Sequence, residues 1–256
     1  MRAAFRGYLL DADNTLFDFD RAEREALART LAAVCPAPPP PQVFAEYHRI
    51  NAGLWRRFEQ GASSQAELRV ERFLVLFRTL GLAGDPHRAA ELFVETMAGM
   101  AFLLPHARRV LAALAGRASL ALLTNGLARV QRGRIQRAGI GGLFRCIVIS
   151  EEVGLAKPDP GMFLLAVRGL GLEPGQVLCV GDSAAADIRG ARRAGLASCW
   201  FAPPSAQYPP GEPPPDYRIN DLRELLSLGA RRVKPGQAGP ATGRPAGRRP
   251  PRRSPG

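Results

Sequence analysis

The sequence predicts an α/β protein built on a doubly wound parallel sheet, with an α-helical domain inserted after the first strand. The first observation is that short apolar runs alternate with helical patterns through the second half of the chain. The second is that residues 19–102 contain four helical patterns in succession and no strand pattern. The third is that acidic and hydroxyl side chains follow the apolar runs, at the strand ends where open α/β sheets bind ligands.

These observations divide the chain into three parts. Residues 1–18 and 103–229 are predicted to form a Rossmann-like core, residues 19–102 a helical insertion, and residues 230–256 a tail. The tail is rich in Gly, Pro and Arg with almost nothing apolar, so we expect it to be disordered. Its eight basic residues leave only +4 of the total charge of +12 for the rest of the chain. The basic excess therefore does not predict a nucleic-acid-binding face.

Length and composition limit the class of protein. A chain of 256 residues with 46% apolar residues can bury a sizeable core. No apolar run approaches the roughly 18 residues that span a membrane, and acidic residues interrupt the N-terminal apolar stretch too early for a signal peptide. The cysteines lack CxxC spacing, as expected for buried apolar residues in a reducing compartment. We therefore expect a cytoplasmic protein with no membrane partner.

The first predicted strand is the apolar run from Tyr8 to Leu10, and Asp11 and Asp13 follow it directly. Two carboxylates two positions apart repel each other unless a positive group lies between them, and a metal cation commonly supplies that charge. A strand that ends in an Asx turn would explain the same residues through backbone hydrogen bonds. This segment alone leaves both interpretations open.

The insertion is predicted to be a small bundle of four helices. Capping-box spacing starts the first helix at Asp20–Glu23 and the third at Ser64–Glu67, and Asp85-Pro86 starts the fourth. The prolines at 36–41 precede the second helix and suggest a stiff connector, with a proline-dependent partner site as the alternative.

Four further strands are predicted after the insertion, and helices separate them. These runs are Leu120–Gly126, Cys146–Ser150, Val177–Asp182 and Ala197–Phe201. Residues 203–215 are predicted to form a proline-rich loop, and residues 220–228 a closing helix.

Polar residues recur at the ends of these runs, namely Thr124-Asn125, Lys157, and Asp182 with Asp187. Each has an ordinary explanation, as a helix cap, a surface charge or a turn residue. Parallel strands would nevertheless bring all of them to one edge of the sheet, which makes independent coincidence a poor explanation. Lys157 is also one of only two lysines among 35 basic residues, which favours a specific role for it.

These residue types suit the hydrolysis of a phosphate ester. A carboxylate such as Asp11 can attack phosphorus and form an aspartyl-phosphate. A second acid, Asp13, can protonate the leaving alkoxide and later deprotonate the attacking water. Thr124 and Asn125 can hold a phosphoryl oxygen through a hydroxyl and a backbone N–H, and Lys157 adds a compact positive charge.

The same residues can hold Mg²⁺, which prefers oxygen ligands, keeps several waters and contacts one or two carboxylates besides phosphate. Asp11 and Asp182 are the predicted carboxylate ligands, and Asp187 is predicted to hold a metal-bound water.

Taken together, these motifs resemble those of the haloacid dehalogenase-like hydrolases. Asp11-x-Asp13-x-Thr15, Thr124, Lys157-Pro158 and Gly181-Asp182-x4-Asp187 agree in order and spacing over about residues 5–201. The resemblance implies that Asp11 is the nucleophile and Asp13 the acid/base. It also implies that the Asp13 backbone carbonyl is a further Mg²⁺ ligand, and that the insertion is a mobile cap.

A narrower resemblance points to the pyrimidine 5′-nucleotidase branch of this family. It is carried by Asp11–Asp20, by Asn51–Gly61 with Leu54-Trp55, and by Thr124–Gly126, Ile149–Gly154 and Ala194–Trp200. The resemblance implies a small-molecule phosphomonoester substrate, a nucleoside 5′-monophosphate with a pyrimidine base. One departure is Ala185-Ala186, where relatives often place a polar residue that would bear on metal binding.

Selectivity is expected to lie in the insertion, where Trp55 and Phe58 lie three residues apart on one helical face. Either both aromatics pack inside the bundle, or Trp55 lines a pocket for the base.

Two other functions remain open. A phosphatase of the same superfamily could act on a sugar phosphate or phosphoglycolate, and a binding protein could use the basic tail to engage nucleic acid. Dehalogenation is disfavoured because a departing halide needs no proton from Asp13. The sequence predicts no oligomeric state.

Overall fold

A computed structural model describes residues 5–228, so the predicted tail at 230–256 lies outside the described residues. The strands are β1 (Gly7–Leu10), β2 (Ser119–Thr124), β3 (Cys146–Ile149), β4 (Val177–Gly181), β5 (Ala197–Phe201) and β6 (Tyr217–Ile219). They form one six-stranded sheet in the order β3-β2-β1-β4-β5-β6, and every neighbouring pair is parallel. The predicted doubly wound parallel sheet is confirmed.

Strand β1 lies in the interior of the sheet and is buried on both faces. Tyr8 and Leu10 pack in one apolar cluster, and Leu9 packs in another on the opposite face. Its neighbours are β2 on one side and β4 on the other, so the order of strands reverses at β1. In open α/β sheets, ligands bind in the crevice outside the carboxyl ends of the strands at such a reversal.

Helices cover both faces of the sheet and also form the insertion. The insertion contains α1 (Phe19–Val34), α2 (Val43–Glu59), α3 (Gln65–Leu80) and α4 (Pro86–Gly99). The core contains α5 (Ala107–Ala115), α6 (Ala128–Ala138), α7 (Ser150–Val153), α8 (Pro160–Leu170) and α9 (Arg189–Arg193). Helices α5 and α6 pack with the cluster of Tyr8, and α8 and α9 pack with that of Leu9.

The four helices of the insertion share an apolar cluster of their own. Tyr47, Phe73 and Phe93 lie at its centre, with ring centroids 5.4 to 5.6 Å apart. The cluster extends to Leu127 and Val130 at the start of α6, so the insertion packs directly on the core. Its role as a cap stays a prediction.

The starts of these helices test the capping predictions. Ser64 and Glu67 form the predicted capping box, and Asp85 caps α4 ahead of its first-turn proline. The capping box predicted at Asp20–Glu23 is wrong, because α1 begins two residues earlier with Asp18 as its N-cap. Glu23 instead points into the insertion, where the side chain of Asn51 donates to it at 2.7 Å.

The C-terminal part of the described chain also differs from the prediction. The closing helix predicted at 220–228 is a shorter 3₁₀ helix, Leu222–Leu226, and the edge strand β6 precedes it. Three residues carry too little alternation to predict a strand, so β6 depends on its pairing with β5. Within residues 5–228, no helix is both long and apolar enough to cross a membrane.

Candidate active site

The predicted site residues gather at the carboxyl edge of the sheet, around the end of β1. Asp11 and Asp13 follow β1, Thr124 is the last residue of β2, and Asp182 follows β4. Asp187 lies in the π-helical turn Ala184–Ile188 after β4.

Lys157 lies at the centre of this group, on the loop between α7 and α8. Its side chain is only 4% exposed. Its Nζ donates to Oδ1 of Asp11 at 2.5 Å and to Oδ1 of Asp187 at 2.7 Å. Asp187 is in turn held through its other oxygen, which accepts from the backbone N–H of Ser183 at 3.0 Å. The lysine therefore connects the end of β1 with the segment that follows β4.

Three carboxylates lie close enough together to hold one metal ion. Asp11, Asp182 and Asp187 each present an oxygen, and those oxygens lie within 4.8 Å of one another. Together with the Lys157 ammonium, the ionised group carries a charge of −2. A hard divalent cation balances that charge and prefers oxygen ligands, so these residues fit Mg²⁺.

The pKa values of these groups reflect the same crowding of charge. Burial raises the pKa of Asp11 to about 7, opposed by Lys157 and reinforced by the neighbouring carboxylates. Burial and the carboxylates of Asp11 and Asp187 also raise the pKa of Asp182 well above its usual range. Burial alone would lower the pKa of Lys157, but Asp11 and Asp187 raise it above that of an ordinary lysine. The lysine therefore stays charged between the acids.

The loop after β2 supports Lys157 in a way that the sequence did not predict. The side-chain amide of Asn125 accepts from the backbone N–H of Lys157 at 2.7 Å and donates to its carbonyl at 2.9 Å. Thr124 Oγ1 accepts from the N–H of Gly126 at 3.2 Å. Because α6 begins only at Ala128, these residues form a turn ahead of the helix rather than its first turn.

Asp13 is held by two residues of α6 that sequence reasoning missed. Gln131 Nε2 donates to one carboxylate oxygen at 2.8 Å, and the Arg134 guanidinium donates to the other. Arg134 is fully buried, donates from Nε to the carbonyl of Met100 at 3.1 Å, and lies over the ring of Phe17. The sequence pattern that could have predicted this contact is a glutamine and an arginine three residues apart on the buried face of a helix.

A cavity that is partly open to solvent lies between the insertion and the core, next to Asp13. Its walls are mostly apolar and aromatic, and its polar lining residues are Asp13, Arg72 and Gln131. Trp55 lines this cavity and also contacts Phe58 edge-to-face, with ring centroids 5.6 Å apart. Phe58 is not among the lining residues, so only one of the two predicted aromatics reaches the cavity.

A second contact joins the insertion to the sheet edge. Gln65, the first residue of α3, is buried and donates through Nε2 to the carbonyl of Asn125 at 2.6 Å and to Ser150 Oγ at 2.8 Å. This side chain ties the insertion to the turn that carries Thr124.

Comparison with known proteins identifies the family and agrees with the fold. A family model for haloacid dehalogenase-like hydrolases matches residues 5–195. Pyrimidine 5′-nucleotidase YjjG of Escherichia coli is 34% identical, over 85% of this chain and 95% of its own. Phosphoserine phosphatase of Thermus thermophilus is 35% identical, over 85% of this chain and 96% of its own. The magnesium-bound crystal structure of the HAD-hydrolase YfnB of Bacillus subtilis has a TM-score of 0.82 at 30% identity, covering 89% of this chain and 100% of that one.

Proposed function

The chain belongs to the haloacid dehalogenase-like hydrolases and is a phosphoric monoester hydrolase, and from this premise we propose a nucleotidase activity. The proposed reaction is the Mg²⁺-dependent hydrolysis of nucleoside 5′-monophosphates, with pyrimidine nucleotides preferred. The observation that carries it is the aromatic cavity that shares Asp13 with the sheet edge. A phosphate at the edge would place its leaving group in that cavity. The name of the Escherichia coli relative supports the choice of substrate.

Asp11 and Asp13, at the end of β1, have different roles in the proposed reaction. A carboxylate oxygen of Asp11 forms a bond to phosphorus while the bond from phosphorus to the nucleoside O5′ breaks. Asp13 gives its proton to O5′, so the nucleoside leaves as an alcohol. Water then attacks phosphorus, its proton passes to Asp13, and phosphate and free Asp11 are released. Lys157 donates to Asp11 and holds positive charge beside the phosphoryl group.

Asp11 and Asp182 are the proposed carboxylate ligands of Mg²⁺, joined by the backbone carbonyl of Asp13. Both oxygens of Asp187 already accept hydrogen bonds, which suits an indirect role through a metal-bound water. When bound, the ion would neutralise the excess charge of the cluster and of the phosphate. Ala185 and Ala186 have no polar side chain that could bind the metal-bound water, so Asp187 is the proposed hydrogen-bond partner of that water.

Residues 19–102 are proposed to act as the cap that closes over the leaving group. Trp55 is placed to stack on the base, since it lines the cavity that Asp13 shares. The contacts of Gln65 with the sheet edge support this role, because they join the first turn of α3 to the turn that carries Thr124.

A second candidate function has one observation in its favour. Arg72 places a positive charge in the cavity, and a substrate with a carboxylate, such as phosphoserine or phosphoglycolate, could pair with it. The name of the Thermus thermophilus relative agrees with this alternative.

A substrate panel separates the two candidates. Phosphate release is measured at equal concentrations of dUMP, dTMP, UMP, dAMP, phosphoserine, phosphoglycolate and glycerol phosphate, with Mg²⁺ present. The proposal expects kcat/KM for the three pyrimidine nucleotides to exceed that for the other compounds by about tenfold or more. Equal or better hydrolysis of phosphoserine or phosphoglycolate would replace the nucleotidase with the second candidate.

A further inference from the structure

We propose that Arg72 determines base selectivity at this site, by donating a hydrogen bond to a carbonyl oxygen of the pyrimidine. This inference rests on the proposed nucleotidase function and deepens it. Arg72 lies on α3 in the insertion, is 4% exposed, and lines the cavity that Asp13 shares.

The guanidinium of Arg72 is held in place by neutral acceptors. Nη1 donates to Asn51 Oδ1 at 3.1 Å and to the Tyr47 hydroxyl at 3.3 Å, and Nε lies 3.4 Å from the carbonyl of Arg69. Its central carbon lies 5.2 Å from the ring centroid of Phe93. Asn51 is itself fixed, because its amide donates to Glu23. The orientation of Arg72 is therefore set before any ligand arrives.

The third nitrogen of Arg72, Nη2, has no such partner. Among the side chains described in residues 5–228, none forms a direct ion pair with Arg72, although the carboxylate of Glu23 lies near enough to sense its charge. Nη2 donates no hydrogen bond to the described chain. Nη2 is also not one of the enclosed polar atoms, so it keeps some exposure to solvent. Because Arg72 lines the cavity, an acceptor on a bound ligand would satisfy this nitrogen.

The surroundings indicate which kind of acceptor fits. Only Nη2 is available, so Arg72 cannot form the bidentate pair that favours a carboxylate or a second phosphate. A single donor beside apolar and aromatic walls instead suits a carbonyl oxygen on a flat ring. Uracil and thymine carry two such oxygens, and adenine carries none.

Arg72 would supply the discrimination between bases that stacking on an aromatic ring does not provide. Stacking on a ring such as Trp55 tolerates every base, because every base has a π-face. A buried donor instead disfavours a base without a matching acceptor, since the donor would then lose its partner.

The test compares substrates with and without a base carbonyl. Arg72→Met and Arg72→Gln are assayed with dUMP, dAMP, phosphoserine and p-nitrophenyl phosphate, beside Arg78→Met as a control. Arg78 is an exposed arginine on the same helix. Both Arg72 variants are expected to lose roughly 10- to 100-fold in kcat/KM for dUMP. They should lose less than about threefold for dAMP and p-nitrophenyl phosphate, and Arg78→Met should behave like the wild type.

A second measurement needs no variant and so does not depend on folding. In 2-thio-dUMP and 4-thio-dUMP, sulfur, a weaker acceptor, replaces one carbonyl oxygen. One of the two is expected to be hydrolysed about tenfold less efficiently than dUMP by the wild type.

Three outcomes would overturn the inference. The first is that the wild type hydrolyses both thio-substrates as efficiently as dUMP. The second is that the Arg72 variants lose activity toward p-nitrophenyl phosphate and dUMP in parallel. The third is that the Arg72 variants lose activity toward phosphoserine selectively. Failure of the proposed nucleotidase is distinguishable, because it would appear in the wild type as p-nitrophenyl phosphate hydrolysis without dUMP hydrolysis.

Discussion

The buried guanidinium of Arg134 donates to the carboxylate of Asp13, so an ion pair joins helix α6 to the end of strand β1. Arg134 has no solvent exposure, whereas 28% of the Asp13 side chain is exposed toward the cavity side of the pair. The arginine is therefore part of the core, and the carboxylate is the part of the pair that a substrate can reach. The pair fixes the proposed acid/base against a rigid helix.

This pair predicts that Asp13→Asn impairs both catalysis and stability. Loss of proton transfer is expected to lower kcat by about 10²–10⁴-fold. The free energy of unfolding of the variant should also be roughly 3 kcal/mol lower than that of the wild type, because Arg134 keeps a buried charge without its carboxylate partner. Urea denaturation and steady-state kinetics measure the two effects.

The double variant Asp13→Asn/Arg134→Met is the control for this prediction. It removes the uncompensated charge, so it should recover part of the lost stability without recovering activity. A single Asp13→Asn variant as stable as the wild type would show that the ion pair does not hold the site together.

Lys157→Arg is expected to lower kcat by about 10²-fold or more, although the charge is kept. The ammonium fits between Asp11 and Asp187 in a buried space, and a planar guanidinium is larger and directs its donors differently. Steady-state kinetics with p-nitrophenyl phosphate check this, with circular dichroism as the control for folding. Wild-type kinetics would contradict a role for Lys157 at the phosphoryl group.

Glu23 gives a prediction about pH, because burial raises its pKa above the ordinary value despite the opposing hydrogen bond with His48 and the nearby positive charge of Arg72. A raised pKa favours the protonated acid in the folded state. Its contribution to stability is therefore complete below about pH 4.3, the unfolded value, and is lost as the pH rises through the folded pKa.

The matched variant is Glu23→Gln, which stays neutral and still offers an oxygen to Asn51. Its free energy of unfolding, relative to that of the wild type, should increase as the pH is raised from 4.5 toward 8. Urea denaturation at several pH values measures this difference. A difference that stays constant with pH would show that Glu23 is not the titrating group.

Trp55→Ala is expected to raise KM for dUMP by roughly fivefold or more, and to raise KM for p-nitrophenyl phosphate by much less. The reason is the loss of stacking on the base, which is worth about 1–3 kcal/mol. Phe58→Ala is the control, since Phe58 contacts Trp55 but does not line the cavity. If both variants raise KM alike, or if Trp55→Ala unfolds the insertion, Trp55 is a packing residue.

Sequence patterns predicted the sheet and the residues at its carboxyl edge for a clear physical reason. An apolar run followed by acidic residues predicts a buried parallel strand, and it also predicts that these acidic residues lie at the carboxyl end of the sheet. The partners contributed by helices were not predictable in this way. Arg72 and Arg134 are two of many arginines in a chain with 35 basic residues, and only the tertiary approach of α3 and α6 to the end of β1 distinguishes them. The binding of phosphate by Thr124 and Asn125 through a hydroxyl and a backbone N–H stays a prediction, whereas the contact of the Asn125 side chain with the backbone of Lys157 was not predicted.

Asp11 is proposed to attack the phosphate of a nucleotide with the assistance of Mg²⁺. The most direct measurement is phosphate release from dUMP by the wild type and by Asp11→Asn, each with Mg²⁺ and with excess EDTA. The proposed mechanism predicts turnover only for the wild type with Mg²⁺, and background rates in the other three samples, because a neutral amide cannot form the aspartyl-phosphate. Asp11→Asn should remain folded, since it removes one carboxylate from a crowded acidic cluster. Substantial turnover by folded Asp11→Asn, or by the wild type in EDTA, would contradict the proposed mechanism.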